Sequence, residues 1–171
     1  IMNSKDIGKK LIRISHEIIE NHRDIWNVVI LGIHNRGVPI AARIRNAISD
    51  ITNIDLSFGS MDITFHRDDF RERLSMPEIR GTDIKFSLDG KTVILVDDVL
   101  YSGRTIRAAL DELNSFGRPS IVRLAVLIDR GHREVPIRAD FVGKNIPTNS
   151  GEHVEVRLLE TDEEEGVFLI K

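Results

Sequence analysis

Apolar positions along this chain follow two rhythms. Between Asp6 and Asn21, Ile7, Leu11, Ile14 and Ile18 recur every three or four residues, which predicts an amphipathic helix with Asn3 or Ser4 as its cap. Val28 to Leu31 is a short apolar run that reads as a strand, and Val38 to Ile48, with Pro39 in its first turn, reads as a helix. Leu56 to Phe65 is strand-like and carries Asp62. Val93 to Val96 is a branched apolar run expected of a buried parallel strand, followed by an amphipathic helix with Ile106, Ala109, Leu110 and Leu113 on one face. Ser120 to Ile128 and Arg138 to Val142 are further candidate strands. Val154, Val156 and Leu158 alternate with polar residues, and Val167 to Ile170, after Gly166, is their expected antiparallel partner. The acidic run between them, Glu160 to Glu165, reads as a solvated turn with no assigned role. Strand, helix, strand, helix, strand in that order predicts an α/β protein with a right-handed, mostly parallel sheet flanked by helices.

Composition narrows the class. The chain has 171 residues, expected to form a single domain spanning 1–171, with 41% hydrophobic and 30% charged residues. It contains no cysteine, so neither a disulfide framework nor a thiolate metal site is expected. Apolar runs fall short of a membrane span and no signal-peptide pattern opens the chain, so a cytoplasmic location is the expectation. A formal charge of −3 gives no global nucleic-acid signature, and any RNA contact needs a local basic face.

The candidate chemistry centres on residues 92–113, TVILVDDVLYSGRTIRAALDEL. Asp97 and Asp98 stand at the expected strand end, followed by a loop with the permissive Gly103 and by Ser102 and Thr105, either of which could cap the next helix. Such a turn aims backbone N–H groups and a helix dipole at one spot, while the acids stand at the rim of the crevice where open α/β sheets bind ligands. A phosphorylated sugar suits that combination; a solvated loop with surface acids is the alternative. The turn lacks the lysine and upstream glycine of a Walker loop, and no GxGxxG occurs. A second strand–loop–helix unit carries Gly32-Ile33-His34-Asn35-Arg36-Gly37, a basic loop that suits another anion or else closes a tight turn. From His66 to Ser87 the pattern dissolves into charged, irregular sequence, either functional or a solvated hairpin.

VILVDDVLYSGRT resembles the phosphoribosyl pyrophosphate (PRPP) motif of type I phosphoribosyltransferases. With RISHEIIE (13–20), GIHNRG (32–37), DITFHRDD (62–69) and the block at 117–148 containing DRGHRE, PIRAD and VGKN, the chain is similar to the PyrR family from about residue 5 to about residue 160. These are pyrimidine operon regulators that also carry uracil phosphoribosyltransferase activity. The resemblance implies a type I phosphoribosyltransferase fold with a small hood and a flexible loop. It also implies conversion of uracil and PRPP to UMP and pyrophosphate, with Mg²⁺ accompanying PRPP.

By the same resemblance, Val99, Leu100, Tyr101, Ser102, Gly103, Arg104 and Thr105 hold the 5′-phosphate, and Asp97 and Asp98 meet the ribose hydroxyls and the metal. Asn35, Arg36 and Gly37 take pyrophosphate, in a loop that the superfamily often holds with a non-proline cis peptide. Arg67, Asp68 and Asp69 head the closing loop. Ile128, Asp129, Arg130 and the backbone of Phe141, Val142 and Gly143 are expected to read the base, unless Asp129 and Arg130 form a structural ion pair. Arg13, His16, His132, Arg133, Arg138 and Lys144 match a face that binds pyrimidine operon leader mRNA under control of UMP or UTP, in a homodimer or tetramer. The chain departs from the family pattern at Ile12, at His66 and at Asn149-Ser150-Gly151. A uracil or purine-salvage phosphoribosyltransferase without an RNA role is the alternative.

Overall fold

The computed structural model describes residues 1–63 and 81–171. Its elements in chain order are β1 (Met2–Asn3), α1 (Ser4–Asn21), a 3-10 turn (Ile25–Asn27), β2 (Val28–Ile33), α2 (Gly37–Thr52), β3 (Ser57–Met61), β4 (Thr92–Leu100), α3 (Arg104–Leu113), β5 (Ile121–Asp129), β6 (Phe141–Asn145), β7 (His153–Arg157) and β8 (Gly166–Ile170). Five strands form a parallel sheet in the order β3-β2-β4-β5-β6. The continuous apolar runs of β2 and β4 follow from burial on both faces. Ile30, Ile94 and Val96 pack with Ile7, Ile14, Ile40 and Ile44 of α1 and α2 on one side. Val29, Leu31, Val93 and Leu95 pack with Ile106, Ala109 and Leu113 of α3 on the other.

A second, three-stranded antiparallel sheet runs β1-β8-β7, so the two ends of the described chain share one small layer. Its β7–β8 pair is the alternating hairpin expected from the sequence; β1 is too short to have been read. Helix α1 starts on a capping box. The Asn3 side chain accepts from the Asp6 amide at 2.9 Å, and the Asp6 carboxylate accepts from the Asn3 amide at 3.2 Å.

Three local expectations are corrected. The last strand of the large sheet is Phe141–Asn145, not Arg138 to Val142, because Asp140 ends the preceding loop by accepting from the Leu124 amide at 2.8 Å. Leu110 is 36% exposed, and Ala108 takes its place on the buried face of α3. Neither Ser102 nor Thr105 is the N-cap of α3: that position is Gly103 with φ +91°, and the Ser102 hydroxyl reaches only the Arg104 amide, at 3.4 Å. Most of the irregular stretch, with His66, Arg67, Asp68 and Asp69, lies outside the described residues. Among the described residues no helix is long and apolar enough to cross a membrane.

Candidate active site

The chain reverses direction across the sheet between β2 and β4, since α2 leads outward to β3 and α3 leads the opposite way to β5. A crevice at such a switch point is where open α/β sheets place ligands. Both candidate loops converge there, and glycines set how closely. A Cβ on Gly37 would stand 2.4 Å from the Val96 carbonyl oxygen and 3.2 Å from Asp97 Cα, while one on Gly32 would stand 2.5 Å from Val38 Cα. Only hydrogen at these positions lets the Asn35–Gly37 loop lie directly on the β4 backbone beside the acids. The peptide between His34 and Asn35 is cis.

Strand β4 continues past the acids to Leu100, pairing Val99 with Ile128 and Leu100 with Asp129. Asp97 and Asp98 are thus held in sheet backbone, not at a loose strand end, which fixes their directions. Their first carboxylate oxygens accept from the amides of Asp98 (2.9 Å) and Val99 (2.8 Å) respectively. Asp97 is buried at 6% exposure, and Asp98 is half-buried.

Arg36 is already paired, by an acid the sequence reading passed over. Its Nε donates to Asp162 Oδ2 at 3.1 Å and its Nη2 to Asp162 Oδ1 at 2.8 Å, a planar fork on a carboxylate. The bond from Asp162 is the main reason the guanidinium holds its proton more tightly than usual, and the charges of Asp98 and Glu155 add to it. Asp162 in turn is held well below the ordinary carboxylate range, chiefly by Arg36, with help from the Leu158 amide and the Thr161 hydroxyl. The Glu160–Glu165 run is therefore not a free solvated turn. Glu160 receives two bonds from Arg43 of α2, at 2.8 and 2.6 Å, Glu165 also pairs with Arg43, and Glu164 pairs with Arg157.

The turn after β4 is braced from the opposite side. Ser102 offers its carbonyl to the amides of Glu134 (2.9 Å) and Val135 (3.3 Å), and a Cβ on Gly103 would stand 2.7 Å from Val135 Cγ2. The left-handed φ of Gly103 and this close contact both require glycine there. Tyr101 and Ser102 make the bend, and Arg104 and Thr105 lie in the first turn of α3. Arg104 Nε donates to Glu134 at 2.6 Å.

Near the expected base pocket the structure sorts the residues. The Ile128 side chain is fully buried, so only its main chain could meet a ligand. Val142, half-buried, pairs with Val126 in the ladder, and a Cβ on its neighbour Gly143 would stand 2.4 Å from the Leu127 carbonyl oxygen. Asp129 pairs with Arg133 at 2.5 Å, not with Arg130. Arg130, 7% exposed, lays its guanidinium 3.9 Å over the Tyr101 ring and donates to Thr148 Oγ1 (3.2 Å) and the Glu152 carbonyl (2.6 Å). These contacts hold the Arg130 side chain against Tyr101 at the rim of the turn.

Of the six basic residues expected on one face, Arg13 donates to the carbonyls of Val142 (2.9 Å) and Gly143 (2.6 Å), next to the exposed Lys144, and His16 is exposed on the same helix. His132 bonds the Thr148 carbonyl at 2.6 Å, and Arg138 is exposed. Arg133 spends its fork internally, on Asp129, the Tyr101 carbonyl (2.8 Å) and the Ile137 carbonyl (2.8 Å).

The fold places the chain among the phosphoribosyltransferases: residues 1–161 match the phosphoribosyl transferase domain family, to which it belongs. A hypoxanthine phosphoribosyltransferase from Staphylococcus aureus superimposes with a TM-score of 0.66 at 20% identity, covering 86% of this chain and 76% of that one. A glutamine mutant from a study of an invariant aspartic acid in hypoxanthine phosphoribosyltransferases reaches 0.76 at 18% identity, over 100% and 94%. Within that class the chain is a member of the PyrR family. It is 52% identical to the bifunctional protein PyrR of Pelotomaculum thermopropionicum over 100% of this chain and 94% of the relative. To that of Clostridioides difficile it is 51% identical, over 99% and 96%.

Proposed function

We propose that the chain is a cytoplasmic uracil phosphoribosyltransferase, joining uracil to the ribosyl group of PRPP with release of pyrophosphate, and a nucleotide-responsive regulator of pyrimidine genes. The observation that carries the enzymatic half is the contact at the switch point. There the basic loop lies directly on the strand that carries the acid pair, because Gly37 has no side chain, and that strand runs on into the turn before α3.

In this reading the 5′-phosphate sits on the backbone of Val99 to Thr105, leading into α3, where N–H groups and the helix dipole favour an anion. Asp98 faces the ribose hydroxyls, and the more buried Asp97 anchors the strand beneath. Asn35, Arg36 and Gly37 take the pyrophosphate, and Arg67 and Asp69 belong to the loop that closes. As the bond to pyrophosphate breaks, the ribosyl carbon becomes positive, and the nearby carboxylates stabilise that charge while Arg36 receives the negative one. Positioning supplies much of the remaining rate.

Magnesium suits this donor set. It takes hard oxygens, usually one or two carboxylates with the rest from water and substrate, and Asp97 and Asp98 offer such oxygens at the crevice. Among the described residues no cluster of three or more metal-ligating side chains occurs, so the ion would be shared with PRPP. When bound it would neutralise the charge on the leaving pyrophosphate.

The regulatory half draws on Arg13, His16, His132, Arg138 and Lys144 as an RNA-phosphate face, completed in a homodimer or tetramer. Arg133 supports that face by fixing the loop that carries His132. RNA binding should weaken steeply with salt, and UMP should raise RNA affinity by the factor by which RNA raises UMP affinity.

The deciding experiment is Asp98→Asn, assayed with uracil, hypoxanthine and guanine as competing bases. Wild type should turn over uracil alone, and the variant should keep its fold and lose turnover. An active variant, or purine turnover by wild type, refutes the assignment. A leader-RNA gel shift with and without UMP tests the other half, and a response flat in salt would count against it.

A further inference from the structure

The acidic turn between β7 and β8 lies 126 residues from the loop after β2, yet one of its side chains grips that loop's arginine. Asp162 is itself immobilised. Its Oδ2 accepts from the Leu158 amide at 2.9 Å and from the Thr161 hydroxyl at 2.7 Å, and its own amide donates to the Leu158 carbonyl at 2.7 Å. Arg43 braces the same turn from α2 through Glu160 and Glu165. A carboxylate held this way can aim whatever it binds.

We propose that Asp162 is a positioning residue for Arg36, occupying its Nε–Nη2 edge so that the Nη1 side is presented to the leaving pyrophosphate. The inference rests on the reading of Arg36 as a pyrophosphate ligand. An arginine fork has two usable edges, and fixing one sets the plane and direction of the other. Among the described residues the Nη1 side has no partner. Asp98 and Glu155 are the other carboxylates whose charges Arg36 feels, and Asp98 is the acid assigned to ribose.

Steady-state kinetics on Arg36→Ala, Asp162→Asn and the double variant test this. Asp162→Asn should raise KM for PRPP about tenfold, the size of one hydrogen bond to a charged group, and lower kcat as well, because Arg36 meets the charge that develops on pyrophosphate, with the KM for uracil near wild type. Product inhibition by pyrophosphate should weaken in parallel. In the Arg36→Ala background the Asp162 change should add nothing, since the group it aims is gone. Thr161→Val keeps the carboxylate and its fork to Arg36 while removing one of the bonds that hold Asp162, and should raise KM for PRPP by less than Asp162→Asn does. If Asp162→Asn does not fold, Asp162→Glu, which moves the charge by one methylene, takes its place in the same cycle. Additive effects, or an equal effect of Thr161→Val, overturn the positioning role. An Arg36→Ala variant with an unchanged KM for PRPP overturns instead the reading beneath it.

Discussion

Gly37→Ala is the smallest change that tests how the site is assembled. The added methyl would lie 2.4 Å from the Val96 carbonyl oxygen, whereas ordinary contacts begin at 3.4 Å, so about 1 Å must be found. Nothing flexible can yield, because the neighbours are β4 main chain and Asp97 Cα. Overpacking of this kind costs about 1–3 kcal/mol. The displacement falls between the basic loop and the acid pair, where an error of about 1 Å can cost about 100-fold in rate. Gly8→Ala is the matched control. Gly8 lies inside α1 with no atom within 4 Å of a new Cβ, so the same substitution should stabilise by about 0.5–1 kcal/mol. Urea unfolding and uracil turnover on the two variants read both numbers. Gly37→Ala with wild-type stability and wild-type kcat/KM would refute the close-approach argument.

Other consequences can be checked separately. Asn3→Ala removes half of the capping box of α1 and should cost about 1 kcal/mol, seen as a fall of about 2–4 °C in Tm. Arg133→Lys keeps a charge for an RNA phosphate but loses the fork to Asp129, Tyr101 and Ile137. It should therefore lower stability by about 2 kcal/mol in urea unfolding, whereas a purely RNA-facing arginine would leave the melt unmoved. Asp162 and Glu160 have depressed pKa values in the folded protein, so their contributions are complete above the unfolded values of 3.8 and 4.5. Those contributions are lost as pH falls further, through the folded values. Stability should thus decline below about pH 4.5, and the decline should be shallower in Asp162→Asn; identical slopes would refute the linkage.

Periodicity was enough to locate α1, β2, β4, β5 and the β7–β8 hairpin, because each has one face or both faces set by burial. The candidate site was legible where its parts are local: the acid pair, Gly103 and Arg36 sit in short contiguous motifs. Asp162 was not, since nothing near Thr161-Asp162-Glu163 signals a partner 126 residues earlier, and an acidic run normally marks solvent. The contacts of Arg130 and Arg133 were hidden for a related reason. A guanidinium shows its partners only once the chain is folded, and here one lies over the Tyr101 ring while the other ties a loop together. The strand start at Phe141 was missed because Asp140 supplies a side-chain acceptor where a ladder partner was expected.

The reversal of winding between β2 and β4 sends α2 to one face of the sheet and α3 to the other while both begin at the same edge. PRPP is an anion at each extremity, so on the proposed assignment each phosphate group has its own seat and the ribose bridges the gap. Once the bond is cut, the two charged fragments already belong to different halves of the molecule. On that assignment pyrophosphate would leave from the seat after β2 while UMP stays on the turn after β4.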